Sequence, residues 1–109
     1  MKVMTVLLIL MMAGLSPIFG GEIYGTIKIN GKPIEANVKV EISINNNSQE
    51  TFTDSKGSYS IQMTAKGKGE IRVHYDKQIP SHAVYSSTSA VRYDFSLINK
   101  GGTYYLKRE

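Results

Sequence analysis

A chain of 109 residues has room for one domain with one modest core, and this one builds it without a single cysteine. That removes disulfides, thiolate metal centres and a lipid-modified cysteine from consideration. Thirteen Lys and Arg against nine Asp and Glu give a net charge of +4, but the cations sit in short scattered clusters such as Lys66/Lys68 and Lys107/Arg108, so no nucleic-acid partner is expected.

Met1-Lys2 gives a positive start, Val3 to Leu15 is almost continuously apolar, and Ser16-Pro17 breaks the run. Ile18 and Gly20 then place an aliphatic and a small residue two positions apart. This succession is that of a secretory signal peptide, with cleavage expected after Gly20. The apolar run is short for a bilayer span, which takes about 20 residues, so no membrane span is expected once the leader is removed. The expected organisation is therefore a signal peptide over 1–20 and one domain over 21–109, in a periplasmic or secreted location.

Glu22 to Ile29 alternates Ile23, Gly25, Ile27 and Ile29 with Tyr24, Thr26 and Lys28, the pattern of a half-buried strand. Gly25 marks a bend or a close backbone approach. Asn30-Gly31-Lys32-Pro33 stops the strand, and 30–37 is expected to be a connection from which Ile34 and Ala36 dip into the core edge. Val38, Val40, Ile42 and Ile44 give the cleanest period-2 signal in the chain. Asn45 to Ser48 is expected to turn, and Gln49 to Thr53 to be a shorter, more polar strand.

Thr53-Asp54-Ser55-Lys56-Gly57-Ser58-Tyr59 is the most specific stretch. Asp54 can fold its carboxylate onto N–H groups two residues on, and Gly57 can take positive φ to close a type I turn with a G1 bulge. A hairpin reversal is expected here, followed by a strand with Tyr59, Ile61 and Met63 on its apolar face. Ala65 to Gly69 is expected to be a turn, Glu70 to Tyr75 a strand, and Asp76 to Pro80 irregular. Ser81 to Ser87 is polar apart from Ala83, Val84 and Tyr85, as at a sheet edge. Tyr93, Phe95 and Leu97 share one face of the next strand, Lys100-Gly101-Gly102 turns, and Thr103 to Lys107 is the last strand. No segment after the leader shows helical periodicity. The fold class is all-β: a seven- to eight-stranded antiparallel Greek-key β-sandwich following an N-terminal signal peptide.

The series Gly25-x-Ile27, Gly31-x-Pro33-Ile34, Ala36-x-Val38-x-Val40 and Thr53-Asp54-x-x-Gly57-x-Tyr59 resembles the carboxypeptidase regulatory-like domain of the transthyretin-like (prealbumin-like) β-sandwich group, over about residues 22–97. The resemblance implies a Greek-key sandwich serving as a non-catalytic accessory or interaction module in exported bacterial proteins. Its partner would be a separate envelope or exported protein. The same group contains hydroxyisourate hydrolases, which carry His and Arg residues and a C-terminal Tyr-Arg-Gly-Ser. This chain ends Tyr105-Leu106-Lys107-Arg108-Glu109, which argues against that activity.

The residues themselves offer little chemistry. His74 and His82 are the only histidines, and alternation turns His74 away from the face of Ile71, Val73 and Tyr75. A metal site built from both with Asp76 would reach only the minimum of the three or four ligands normally needed, and none is expected. No serine stands in a Gly-x-Ser-x-Gly setting. Asp54 is explained by turn capping, and Asp54, Glu50 and Asp76 lack the regular spacing of a calcium loop. Asn46-Asn47-Ser48 matches a glycosylation pattern, although a polar hairpin turn explains it. No cofactor is expected. Tyr59, Tyr75, Tyr93 and Phe95 belong to the core by periodicity, whereas Tyr24 and Tyr105 fall on the strand faces opposite the apolar ones and are the candidate binding residues. Three readings follow in order: an exported module for protein–protein interaction, using an edge strand near 81–87 or 103–107; a carbohydrate-binding module; and a small hydrolase with His74 or His82 beside Arg72 or Arg92.

Overall fold

The computed structural model describes residues 20–109, and the expected signal peptide lies outside the described residues apart from Gly20. Ten strand segments form two sheets packed face to face. They are β1 (Glu22–Ile29), β2 (Lys32–Pro33), β3 (Lys39–Ile44), β4 (Asn47–Phe52), β5 (Ser58–Gln62), β6 (Gly67–His74), β7 (Ser81–Ser86), β8 (Val91–Arg92), β9 (Phe95–Lys100) and β10 (Thr103–Arg108). The described residues contain no helix, and the all-β sandwich stands.

The six-stranded sheet is built around β1. One flank of β1 pairs antiparallel with β5 and β2, the other parallel with β8 and then β9, and β10 adds to β9 as a hairpin. The four-stranded sheet runs β4-β3-β6-β7, antiparallel throughout. Inward residues follow the alternation of the sequence. Ile23 and Ile27 of β1, Val40, Ile42 and Ile44 of β3, Ile71 and Val73 of β6, and Phe95 and Leu97 of β9 are buried between the sheets.

Gly25 is a close-approach glycine. A Cβ there would overlap the Tyr93 carbonyl, because the chain leaves the ladder at Tyr93-Asp94 and presses against β1 between β8 and β9. The expected continuous strand through Tyr93 to Leu97 is thus broken in its backbone, although all three side chains stay on the core side.

The Thr53–Tyr59 stretch has the expected local geometry. Asp54 Oδ1 accepts from Lys56 N–H at 2.8 Å and Ser58 N–H at 2.9 Å. Gly57 N–H donates to Asp54 O at 3.0 Å with Gly57 at φ +73°. It is not a hairpin, however, because β4 lies in the four-stranded sheet and β5 in the other. The turn carries the chain across the sandwich. Thr53 locks the crossing: its buried hydroxyl accepts from Val38 N–H at 3.0 Å and donates to Glu35 O at 2.8 Å. Neither bond has a local sequence signature.

Smaller expectations also change. Gly67 and Gly69 belong to β6 and not to a turn, with Gly69 packed against the backbone of Ser43 where a Cβ would collide. Asn47 and Ser48 are already in β4, following a two-residue turn at Asn45-Asn46 with φ of 49° and 69°. Lys32–Pro33 pairs with the end of β1. Ile34 is buried as expected, but Ala36 is exposed.

Candidate functional site

The two outer faces of the sandwich differ in chemistry. On the four-stranded sheet, Lys39, Glu41, Glu50, Glu70, Arg72 and His74 form a charge lattice. Lys39 pairs with Glu50 at 3.2 Å, and Arg72 pairs with Glu70 at 2.6 Å and with Glu41 at 3.7 Å. His74 Nε2 lies 3.1 Å from Glu41 Oε1. The His74 contact and the Ser48 hydroxyl hold the Glu41 carboxyl below the usual carboxylate range. Ser43 Oγ accepts from Arg72 at 2.6 Å. This lattice brings His74 and Arg72 to one carboxylate. It has no nucleophile at the imidazole, because Ser48 donates to Glu41 instead, and it lies on an open sheet face.

His82 sits across the sheet from His74. It pairs with the inward residue Ile71, its ring lies 5.2 Å from that of Phe95, and its Nδ1 is 2.8 Å from Ala83 O. A carbonyl only accepts, so Nδ1 carries the proton in this bond. The two histidines therefore cannot share a reacting atom, and Arg92 is engaged elsewhere, with Nε 2.9 Å from Asp94 Oδ2. Among the described residues no three His, Asp or Glu side chains converge as a metal set.

Asp94 is a structural bracket. Its Oδ1 accepts from Thr26 N–H at 2.9 Å and Thr26 Oγ1 at 3.1 Å, tying the chain between β8 and β9 to β1. Burial pulls its carboxyl upward, but the Thr26 and Arg92 bonds outweigh that and leave it below the ordinary value.

The candidate binding tyrosines do not form one platform. Tyr24 lies half-buried near the start of β1, opposite Ser60, with the Arg92 guanidinium 5.9 Å from its ring centre. Tyr105 is 52% exposed on β10, opposite Ile98. Both face outward on the same sheet. At ~3.3 Å per residue along β1, they are on the order of 20 Å apart.

The best-formed concavity lies elsewhere, along the free edge of β7. It encloses about 420 Å³ and is lined by Lys68, His82, Ala83, Tyr85, Tyr93 and Arg108 among others. The edge position of β7 is the one expected from its polar sequence. Tyr93 is the hub of this region. It receives the buried Tyr59 hydroxyl on its carbonyl at 2.7 Å, and its own hydroxyl accepts from Tyr85 N–H at 2.9 Å. Burial, then the nearby Asp94 carboxylate, raises the Tyr59 phenol well above its ordinary value, so it stays a proton donor. Over the Tyr93 ring, at 4.2 Å from its centre, stands the Arg108 guanidinium, which also donates to Arg92 O at 3.2 Å.

The β7 edge is partly closed by its own chain. Val73 N–H bonds Pro80 O, and antiparallel alternation then turns the backbone groups of Ala83 and Tyr85 away from β6. Of these, Tyr85 N–H is taken by Tyr93 and Ala83 O by His82. On β10, Tyr104 N–H is taken by Gln78 Oε1 at 2.9 Å. Such capping blunts an edge against indiscriminate strand pairing. What remains at the cleft is side-chain chemistry: the Tyr85 ring, 52% exposed, beside Lys68 and Arg108. Neither cation forms an ion pair among the described residues. In the sequence Lys68, Tyr85 and Arg108 stand far apart, and nothing local joins them.

A second, shallower concavity of about 270 Å³ lies on the opposite flank beside Phe52, Asp54 and Ser58. Its one acid, Asp54, is committed to the turn.

No protein-family model matches the chain, and no curated protein matches it. The fold does match solved structures. The Bacillus anthracis TIE protein is similar at a TM-score of 0.59 and 12% identity over 81% of this chain and 17% of that one. A DUF3823 family protein from Parabacteroides merdae is similar at a TM-score of 0.57 and 9% identity, over 84% of this chain and 48% of that one. A candidate carbohydrate binding protein from Bacteroides uniformis is similar at 0.52 and 13% identity, over 81% of this chain and 53% of that one. At these identities the likeness is one of fold. This chain spans about half or less of the length of each.

Proposed function

We propose that the chain is an exported, non-catalytic binding module of the bacterial envelope that docks a protein partner at the β7 cleft. The observation that carries this reading is the cleft itself: an exposed tyrosine beside an arginine held in place by its stack on Tyr93, with no counter-ion. The site is built to bind, and the polar groups that hydrolysis would need are dispersed over two faces of one sheet or committed to structure. Three further observations support an accessory role. The leader pattern of residues 1–20 is that of an exported protein, the Thr53–Tyr59 element resembles the carboxypeptidase regulatory-like domain, and the structurally similar proteins carry this fold as part of longer chains.

Carbohydrate binding is the second reading, favoured by the likeness to the Bacteroides uniformis protein. The separation of Tyr24 and Tyr105 removes the stacking platform on which it first rested. The β7 cleft has two cations, unpaired among the described residues, and no carboxylate or carboxamide in its lining, a set that suits an anionic group better than a neutral sugar.

The test is paired capture from envelope extract with the full chain, tagged at its C-terminus, and with its Tyr85→Ser variant. A partner retained by the first and lost by the second supports the reading. Equal capture by both, or capture of nothing by either, contradicts it. Intact mass of the exported chain checks the leader, with a mature N-terminus at Gly21 as the expected result.

A further inference from the structure

Resting on that docking reading, the charge pattern specifies what the partner presents. Lys68 projects from β6 and Arg108 from the end of β10, on two different sheets, yet both line one cleft around Tyr85. Across the charge lattice of the four-stranded sheet every cation has an anion: Lys39 has Glu50, and Arg72 has Glu70 and Glu41. Glu70, two residues along the same face from Lys68, is committed to Arg72 at 2.6 Å. Lys68 and Arg108 have no ion-pair partner among the described residues, so the cleft presents two cations to a ligand. Arg108 is also oriented in advance. Its stack on Tyr93 and its bond to Arg92 O fix the guanidinium plane, and the remaining N–H groups are available in a fork that fits a carboxylate. Beside it, Tyr85 offers a rigid amphipathic ring, the residue type enriched where interfaces anchor.

The backbone sets the mode of binding. With Tyr85 N–H and Ala83 O already bonded to side chains of this chain, a partner strand cannot run a full ladder along β7. Recognition must come from side chains across the edge, and a cleft of about 420 Å³ admits a short stretch of peptide, not a folded surface.

We propose that the β7 cleft takes an acidic, extended segment of a protein partner, with one carboxylate seated between Lys68 and Arg108 and a neighbouring side chain laid on the Tyr85 ring. The probe is a fluorescein-labelled short peptide alternating glutamate and leucine, titrated into the full chain by fluorescence anisotropy. Its glutamine–leucine counterpart and an unlabelled oligouronate serve as competitors. The glutamate peptide is expected to bind and the glutamine peptide not to compete. Arg108→Gln and Lys68→Gln are each expected to weaken binding about tenfold, the worth of one charge-assisted contact at a partly exposed site, with Lys68→Gln at the wild-type melting temperature and Arg108→Gln still folded and melting cooperatively. Arg108→Lys, which keeps the charge and loses the fork, is expected to fall between wild type and Arg108→Gln, an ordering that a purely structural role for Arg108 would not produce.

Binding indifferent to both glutamine variants overturns the proposal, as does absence of binding. Displacement by oligouronate with no discrimination between the two peptides assigns the cleft to an acidic saccharide and also overturns it. If envelope capture depends on Tyr85 while the glutamate peptide does not bind, the acidic segment is wrong and the docking reading survives. Capture indifferent to Tyr85 removes both.

Discussion

The Thr53–Tyr59 turn and the β7 cleft both concentrate polar and aromatic residues, and they commit them to hydrogen bonds very differently. In the turn the residues that define it are spent on the fold. Asp54 holds two backbone N–H groups, Thr53 bonds in two directions, Gly57 takes a positive φ, and Tyr59 donates to the Tyr93 carbonyl. At the cleft, Tyr85 and the two cations remain available. A dense cluster of reactive residue types is therefore no guide to a site until its hydrogen bonds are accounted for. The comparison predicts a double dissociation: turn substitutions change stability and leave binding intact, and cleft substitutions do the reverse.

The largest expected effect is that of Gly57→Val. A β-branched residue at φ +73° is strained, and its Cβ would lie 2.7 Å from Ile27 O and 3.0 Å from Ile34 N, both backbone atoms that cannot yield cheaply. A loss of about 3 kcal/mol or more is expected in denaturant unfolding. Binding of the glutamate–leucine peptide by the remaining folded protein should be unchanged. Thr53→Val keeps the side-chain shape but leaves Val38 N–H without its hydroxyl acceptor. It should lose about 1–3 kcal/mol, again with normal peptide affinity. Arg108→Gln should show the converse, with stability within about 1 kcal/mol of wild type and peptide affinity down about tenfold.

The smallest effect concerns acid. The Asp54 carboxyl is held below its ordinary value by the Ser58 N–H and then the Lys56 N–H. A depressed folded-state value means a contribution present above the unfolded value and lost as pH falls through the folded one. Asp54→Asn should therefore flatten the acid limb of the unfolding midpoint between about pH 5 and pH 2, where carboxylates take up protons. Lys68→Gln should leave that limb unchanged. A flattened limb in Lys68→Gln would break the division of labour between the two regions.

Much of the fold was legible because alternation is a local signal. Ile23 and Ile27, Val40 to Ile44, and Phe95 and Leu97 all face the core as their spacing requires. Gly57 and Asp54 gave the turn its type. The change of sheet at Thr53 was hidden, because it depends on bonds to Glu35 and Val38 that no neighbouring residue announces. Gly67 and Gly69 suggested flexibility, whereas Gly69 serves close packing against Ser43. The candidate site was less legible. Tyr24 and Tyr105 were placed on the correct outward faces, but residue spacing cannot say how far apart two strands set them. The edge strand around Ser81–Ser87 was recognisable from its polarity. Its cleft was not, because Lys68, Tyr85 and Arg108 meet only after both sheets are assembled.

The central claim is that this sandwich engages its partner at the β7 edge and not on the tyrosines of the opposite sheet. Replacing Tyr85, Tyr24 or Tyr105 singly with a photo-cross-linking phenylalanine analogue, and irradiating cells that export the full chain, tests it most directly. A cross-linked adduct with another envelope protein from position 85, and none from 24 or 105, is the predicted result. Adducts from 24 or 105 with none from 85 would contradict it.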